Sequence, residues 1–168
     1  MERLVDLSHV GFLKLIYQED TLSNTQLADD FKELFKGQLS DDVINKSVEQ
    51  ITEAKLKAAT SVSANGSLAS LVFYVKAQCN VNGGKSFNGS AWGVSFPGGG
   101  ALFGDVYLSE ASSSLDDLYK RTTSFTFTAT PVYTAFYFWD SKNTLLGHFQ
   151  AGSVSTVTGT GGGSGSWS

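Results

Sequence analysis

The sequence predicts an α+β chain. Helices fill residues 1–60, and about eight short antiparallel strands, as a small barrel or sandwich, fill residues 61–168. Three observations carry that reading. Residues 1–60 hold 11 of the 16 acids and 7 of the 12 Lys and Arg, and so the whole net charge of -4. Residues 61–168 hold 16 of the 18 glycines, 17 of the 21 aromatics and all three tryptophans. The apolar pattern also changes, from helical spacing before residue 60 to alternation by two after it.

Three helices account for the first part. Ser8 caps the first, with Phe12, Leu13, Ile16 and Tyr17 on one face. Ser23 or Asn24 caps the second, which carries Leu27, Phe31, Leu34 and Phe35 on one stripe and stops at Gly37. Ser40, followed by Asp41 and Asp42, starts the third, whose face is Ile44, Val48 and Ile51. The apolar run Val10 to Tyr17 is broken by Lys14. It makes a poor signal peptide and is too short to span a bilayer. The chain is therefore expected either not to be exported by the usual route or to have lost a leader.

Thr60 to Gly66 reads as a polar linker. From Ala69 to Val81 the odd positions are apolar, including Cys79, which predicts one long half-buried strand with an inert core thiol. Asn82-Gly83-Gly84-Lys85 is a hairpin turn. Short strands follow at Ser90–Ser95 and Ala101–Leu108. The intervening Gly98–Gly100 is no phosphate loop, because neither Lys-Ser/Thr nor a helix comes next. Ser114-Leu115-Asp116-Asp117 starts one or two helical turns. Ser124–Thr130 alternates strictly, and Val132–Trp139 is apolar on both faces. Asp140 to Asn143 turns, and Leu145–Ala151 and Gly152–Thr158 follow. The tail from Thr160 to Ser166 resembles a flexible linker by composition. It ends on Trp167, which stabilises only when buried, so the tail is assigned as the closing strand of a barrel.

Several function classes are disfavoured. A net charge of -4 does not suit phosphate binding, so no nucleic-acid partner is expected. Cys79 is the one cysteine, so no intramolecular disulfide forms. Cys79 and His148 could be imagined as a nucleophile and base, but Cys79 reads as core and nothing else supports hydrolysis. Asp116 and Asp117 belong to a helix start, and the five acids of residues 61–168 form no glycosidase pair. Ligand spacing for zinc is missing, so no metal or cofactor is expected. The sequence points to no enzyme. The residues singled out for binding are Tyr133, Tyr137 and Trp139, one face of Val132–Trp139; this face either lies open on the barrel's outside, where aromatics suit sugar, membrane or protein surfaces, or is covered by the helical part or by close packing with its neighbours.

Residues 66–167 resemble the virulence-associated proteins (Vap family) of Rhodococcus. The resemblance rests on Ser86-Phe87-Asn88-Gly89-Ser90-Ala91-Trp92-Gly93, on Phe96-Pro97-Gly98-Gly99-Gly100-Ala101-Leu102-Phe103-Gly104, and on Leu118-Tyr119-Lys120 with Thr123-Ser124-Phe125. Its most specific block combines Asp140-Ser141, Leu146-Gly147-His148, Gln150-Ala151-Gly152, Val154 to Val157 and Gly161 to Trp167. It implies a compact eight-stranded Greek-key barrel filled by side chains, and a secreted or host-delivered effector without catalytic residues. That effector would act at host membranes or compartments, or on a host protein. A carbohydrate- or protein-binding barrel module is the alternative. The helical residues 1–60 lie outside the resemblance and are expected to serve delivery, docking or membrane contact.

Overall fold

The computed structural model describes residues 26–56, 61–95, 97–153 and 156–168. The first expected helix, with Ser8 and Phe12 to Tyr17, and the Ser23 or Asn24 cap lie outside the described residues. The chain forms two compact units, Met1–Thr52 and Glu53–Ser168.

In the first unit, helix α1 covers residues 26–35 and buries Leu27, Ala28, Phe31 and Phe35. The rings of Phe31 and Phe35 lie 4.5 Å apart. Gly37 ends the helix at φ 77, a left-handed backbone that glycine adopts without a Cβ clash, and the N–H groups of Gln38 and Leu39 close on the Phe35 carbonyl. Helix α2, Asp41–Leu56, most of which lies in this unit, begins with two acids in its first turn, where a helix start favours negative charge, and buries Ile44 and Ile51.

The second unit is a closed antiparallel barrel of β1 (Ser61–Ser70), β2 (Tyr74–Val81), β3 (Ser86–Ser95), β4 (Gly98–Leu108), β5 (Ser124–Ala129), β6 (Tyr133–Trp139), β7 (Leu145–Ser153) and β8 (Gly159–Trp167). Helix α3, Leu115–Arg121, lies between β4 and β5. The strand order is β1-β2-β3-β8-β5-β6-β7-β4. Read around the closed ring, β4-β1-β2-β3 and β8-β5-β6-β7 are two Greek keys, each with its fourth strand returning beside its first. Closure leaves no unpaired edge.

Two expectations are corrected. Ser61–Gly66 is not a linker but the front of β1, because β4 pairs with it throughout and β2 joins from Ala64 onward. Small polar residues carry little strand preference, and the two partners override it. The single long strand over Ala69–Val81 is instead two strands joined by a hairpin turn. Leu71 N donates to the Tyr74 carbonyl at 2.8 Å, and Val72 takes φ 73.

Side chains fill the barrel. Phe87 packs edge-on against Phe125 and Phe138, with ring centroids 5.2 and 5.0 Å away, and Phe136 reaches Phe149 at 5.5 Å. The glycine-rich β8 makes room for these rings. A Cβ on Gly165 would fall on Cζ of Phe87, and one on Gly161 would come within 2.8 Å of Phe127. Glycine costs strand stability, but here it lets large rings cross the interior. Trp167 closes the core as the sequence suggested, against Phe138 and Tyr119, and its indole N–H donates to Thr122.

Alternating strand directions divide the connections between two ends. The β1–β2, β3–β4, β5–β6 and β7–β8 connections share one end. The β2–β3 and β6–β7 turns, α3, the start of β1 and the end of β8 share the other.

Candidate functional site

Of the two readings of the β6 aromatic row, the open one does not hold, because the row does not face solvent. Tyr133, Tyr137 and Trp139 are all buried, as is every residue of β6. These side chains pack against their neighbours on β5 and β7 rather than standing free. Trp139 donates its indole N–H to Thr126 at 3.0 Å, and the Tyr137 ring lies beside the His148 ring. These three residues therefore form no exposed platform for a sugar or a partner.

Cys79 and His148 are not brought together. Cys79 lies inside the barrel, where burial pushes its thiol pKa well up and keeps it protonated. His148 lies on the other face of β7 from Phe149, stacked on Tyr107 with ring centroids 5.1 Å apart. Leu146 turns inward, although simple alternation would put it on the same face as His148 two residues on. A register shift opposite, between Phe138 and Trp139, changes the alternation there. No cluster of His, Cys, Asp and Glu suited to a metal occurs among the described residues.

The α3 end holds a satisfied polar network. Ser114 caps α3 by accepting from Asp117 N at 3.1 Å. Arg121 donates to Asp117 and Asp140, both at 2.9 Å, and to the Ala111 carbonyl at 2.7 Å. Asp140 also accepts from the N–H groups of Lys142 and Thr144. Burial pushes the Asp140 carboxyl up, but those two N–H groups and the Arg121 guanidinium outweigh it and hold its pKa below the usual range. Every donor here serves a turn or a cap, so the cluster positions structure and is not poised to react.

The other end is different in kind. Leu71, Phe73 and Val132 stand 76%, 62% and 68% exposed on its turns, and Trp92 is 69% exposed on β3. Trp92 pairs across to Tyr74, with ring centroids 5.3 Å apart. The backbone beneath is well tied. Ser70 and Ser95 share a hydroxyl hydrogen bond of 2.6 Å, and Ser95 donates through its N–H and hydroxyl to the Val72 carbonyl. Gly93 N donates to the Phe73 carbonyl at 3.2 Å. Phe103 is also exposed, but on the flank of β4 beside Asn65 and Gly152.

Sequence reasoning missed these residues. The signal was present, since Leu71 to Val75 is an unbroken apolar and aromatic run inside a pattern that otherwise alternates. Val72 and Tyr74 fall on the polar parity, which a continuous half-buried strand would not tolerate easily.

The family model for the Rhodococcus equi virulence-associated protein matches residues 17–168. The chain belongs to this family. The match begins far ahead of residue 66, so it takes in residues 17–60 of the helical part that the motifs alone had left outside. Among solved structures, VapB from the intracellular pathogen Rhodococcus equi is 40% identical, covering 64% of this chain and 95% of its own, with a TM-score of 0.58. VapD from the same pathogen is 33% identical, covering 64% of this chain and 96% of its own, with a TM-score of 0.60. No curated sequence matches the chain. The eight-stranded barrel expected from the Vap resemblance is the fold found.

Proposed function

We propose that this Vap-family chain is a non-enzymatic virulence factor, delivered to a host, that acts at host membranes through its surface. The observation that carries the reading is the filled barrel. Phe87, Phe125, Phe127, Phe136, Phe138 and Phe149 occupy the interior, where a barrel that carries a small ligand keeps a cavity. Binding work then falls to the outside, where large apolar side chains stand in solvent. The helical part serves delivery or docking in this reading. No helix among the described residues is long and apolar enough to cross a bilayer, so contact with lipid would be interfacial or through strands and turns.

Co-sedimentation of the full chain with vesicles, at neutral and mildly acidic pH and with varied anionic lipid, tests this. Binding with or without dye leakage is the expected result. Failure to bind under every condition would move the reading to a host protein partner. A glycan partner has lost the exposed aromatic row on which it rested.

A further inference from the structure

We propose that the uncharged end of the barrel, tipped by Leu71, Val72, Phe73 and Val132, is a face that inserts into a lipid bilayer. The inference rests on the membrane reading above and adds the surface, its orientation and its depth.

Charge is the first argument. Residues 61–168 contain ten charged side chains. Eight of them, Lys85, Glu110, Asp116, Asp117, Lys120, Arg121, Asp140 and Lys142, lie in the turns and helix of the α3 end. Lys76 and Asp105 lie on strands. The described residues of the connections at the other end, 71–73, 97, 130–132 and 156–158, contain none. These charges are scattered along the sequence, and the topology sorts them to one side. A partner protein recognised by ion pairs would find nothing there to pair with, whereas an acyl layer excludes charge and accepts Leu, Val and Phe.

The second argument is order with depth. Leu71 and Phe73 occupy the tip. Tyr74 and Trp92 follow as a cross-strand pair, the two residue types enriched at the headgroup level of bilayers. Lys76 comes next on the same outer face, about 6–7 Å behind Tyr74 by strand rise. From there a flexible ammonium stem reaches phosphate while its methylenes lie along apolar surface. Apolar tip, aromatic girdle and lysine thus repeat the chemistry of a bilayer half from acyl chains outward.

The third argument is the backbone. Val72 sits at φ 73, where a β-branched residue is an outlier. It is the first central residue of a two-residue hairpin turn, a place where glycine is usual when φ is positive. The other left-handed turn positions in the described residues, Gly37, Gly83 and Asn143, follow the ordinary preference. Here an apolar side chain is kept against that preference, and Ser70 and Ser95 fasten the turn that presents it.

Trp92 provides the readout, because Trp139 and Trp167 are buried. The full chain is mixed with vesicles of phosphatidylcholine and phosphatidylserine, and then with vesicles brominated in the acyl chains. The expected result is a blue-shifted Trp92 emission, quenched by the brominated lipid and absent in Trp92→Phe. The double variant Leu71→Ser with Phe73→Ser should partition roughly tenfold or more weakly, in keeping with two large side chains no longer buried. Val72→Asn suits a left-handed turn and guards against misfolding as the cause, since it should melt no lower than the wild type yet still bind more weakly. Binding to vesicles with unchanged Trp92 emission, or with full retention in the double variant, would overturn this face and leave the membrane reading intact. A chain that binds no vesicle would remove both.

Discussion

The two ends of the barrel solve the same problem with opposite chemistry. Each end must turn strands around without leaving backbone groups unpaired. At the α3 end charged side chains do this. Asp140 accepts from two N–H groups, Arg121 joins Asp117, Asp140 and the Ala111 carbonyl, and Ser114 caps the helix. At the other end small hydroxyls do it. Ser70 and Ser95 hold the Val72 turn, and Thr130 accepts from Val132 and Tyr133. The difference shows where apolar mass was placed. Trp167 is turned inward against Phe87, Phe138 and Tyr119, whereas Trp92 and Phe73 are turned outward. One end is built for stability, while the other tolerates exposure that does nothing for folding.

The sharpest way to break this contrast is to truncate one tryptophan at each end. Trp167→Ala removes a buried indole that touches three aromatic rings and donates to Thr122. It should destabilise the chain by about 3–5 kcal/mol in chemical denaturation. Trp92→Ala loses mainly its ring contact with Tyr74. It should cost no more than about 0.5–1 kcal/mol. Equal losses would show that the two ends share one structural role.

A smaller effect separates the ends by pH. Asp140→Asn weakens the turn at Lys142 and Thr144 and removes the charge that faces Arg121. The expected loss is about 1–2 kcal/mol at neutral pH, from hydrogen bonds to a charged group. The sign follows from the depressed folded-state pKa of Asp140. Its contribution is fully present above the unfolded value of about 3.9 and is lost as pH falls through the lower folded value. Wild type and variant should therefore converge in stability as pH drops below about 4. Urea titrations across that range check this, and a constant gap would show that Asp140 acts without its charge.

Local signals made much of the barrel legible. Strict alternation marked β5, Asn82-Gly83 marked the β2–β3 turn, Ser114 marked α3, and a terminal Trp167 after glycines marked β8. What stayed hidden needed partners distant in sequence. Ser61–Gly66 becomes a strand only because β2 and β4 pair with it. Tyr133, Tyr137 and Trp139 occupy the strand that was expected, but their burial depends on how the folded chain covers its outer face, which alternation does not encode. The sorting of charge to one end follows from strand direction, so it emerges once topology is known. Leu71-Val72-Phe73 escaped notice as a turn because it contains none of the residues that usually make one.

That last omission leads to the smallest effect and the only gain in stability. If Val72 were present for the fold, relieving it should do nothing or do harm. If it is present for what the tip touches, a residue better suited to φ 73 should stabilise the chain. Asn tolerates the left-handed region and can keep the N–H that Val72 donates to Ser70. The Val72 side chain is 38% exposed, and the partial burial it loses offsets only part of that relief. Val72→Asn should therefore raise stability by about 1 kcal/mol, the low end of the strain expected for such a residue. A thermal melt shifted upward by a few degrees is the corresponding readout. A lower melting temperature would mean that the Val72 side chain supports the turn from within. The strain would then be structural, and the contrast between the two ends would lose its backbone argument.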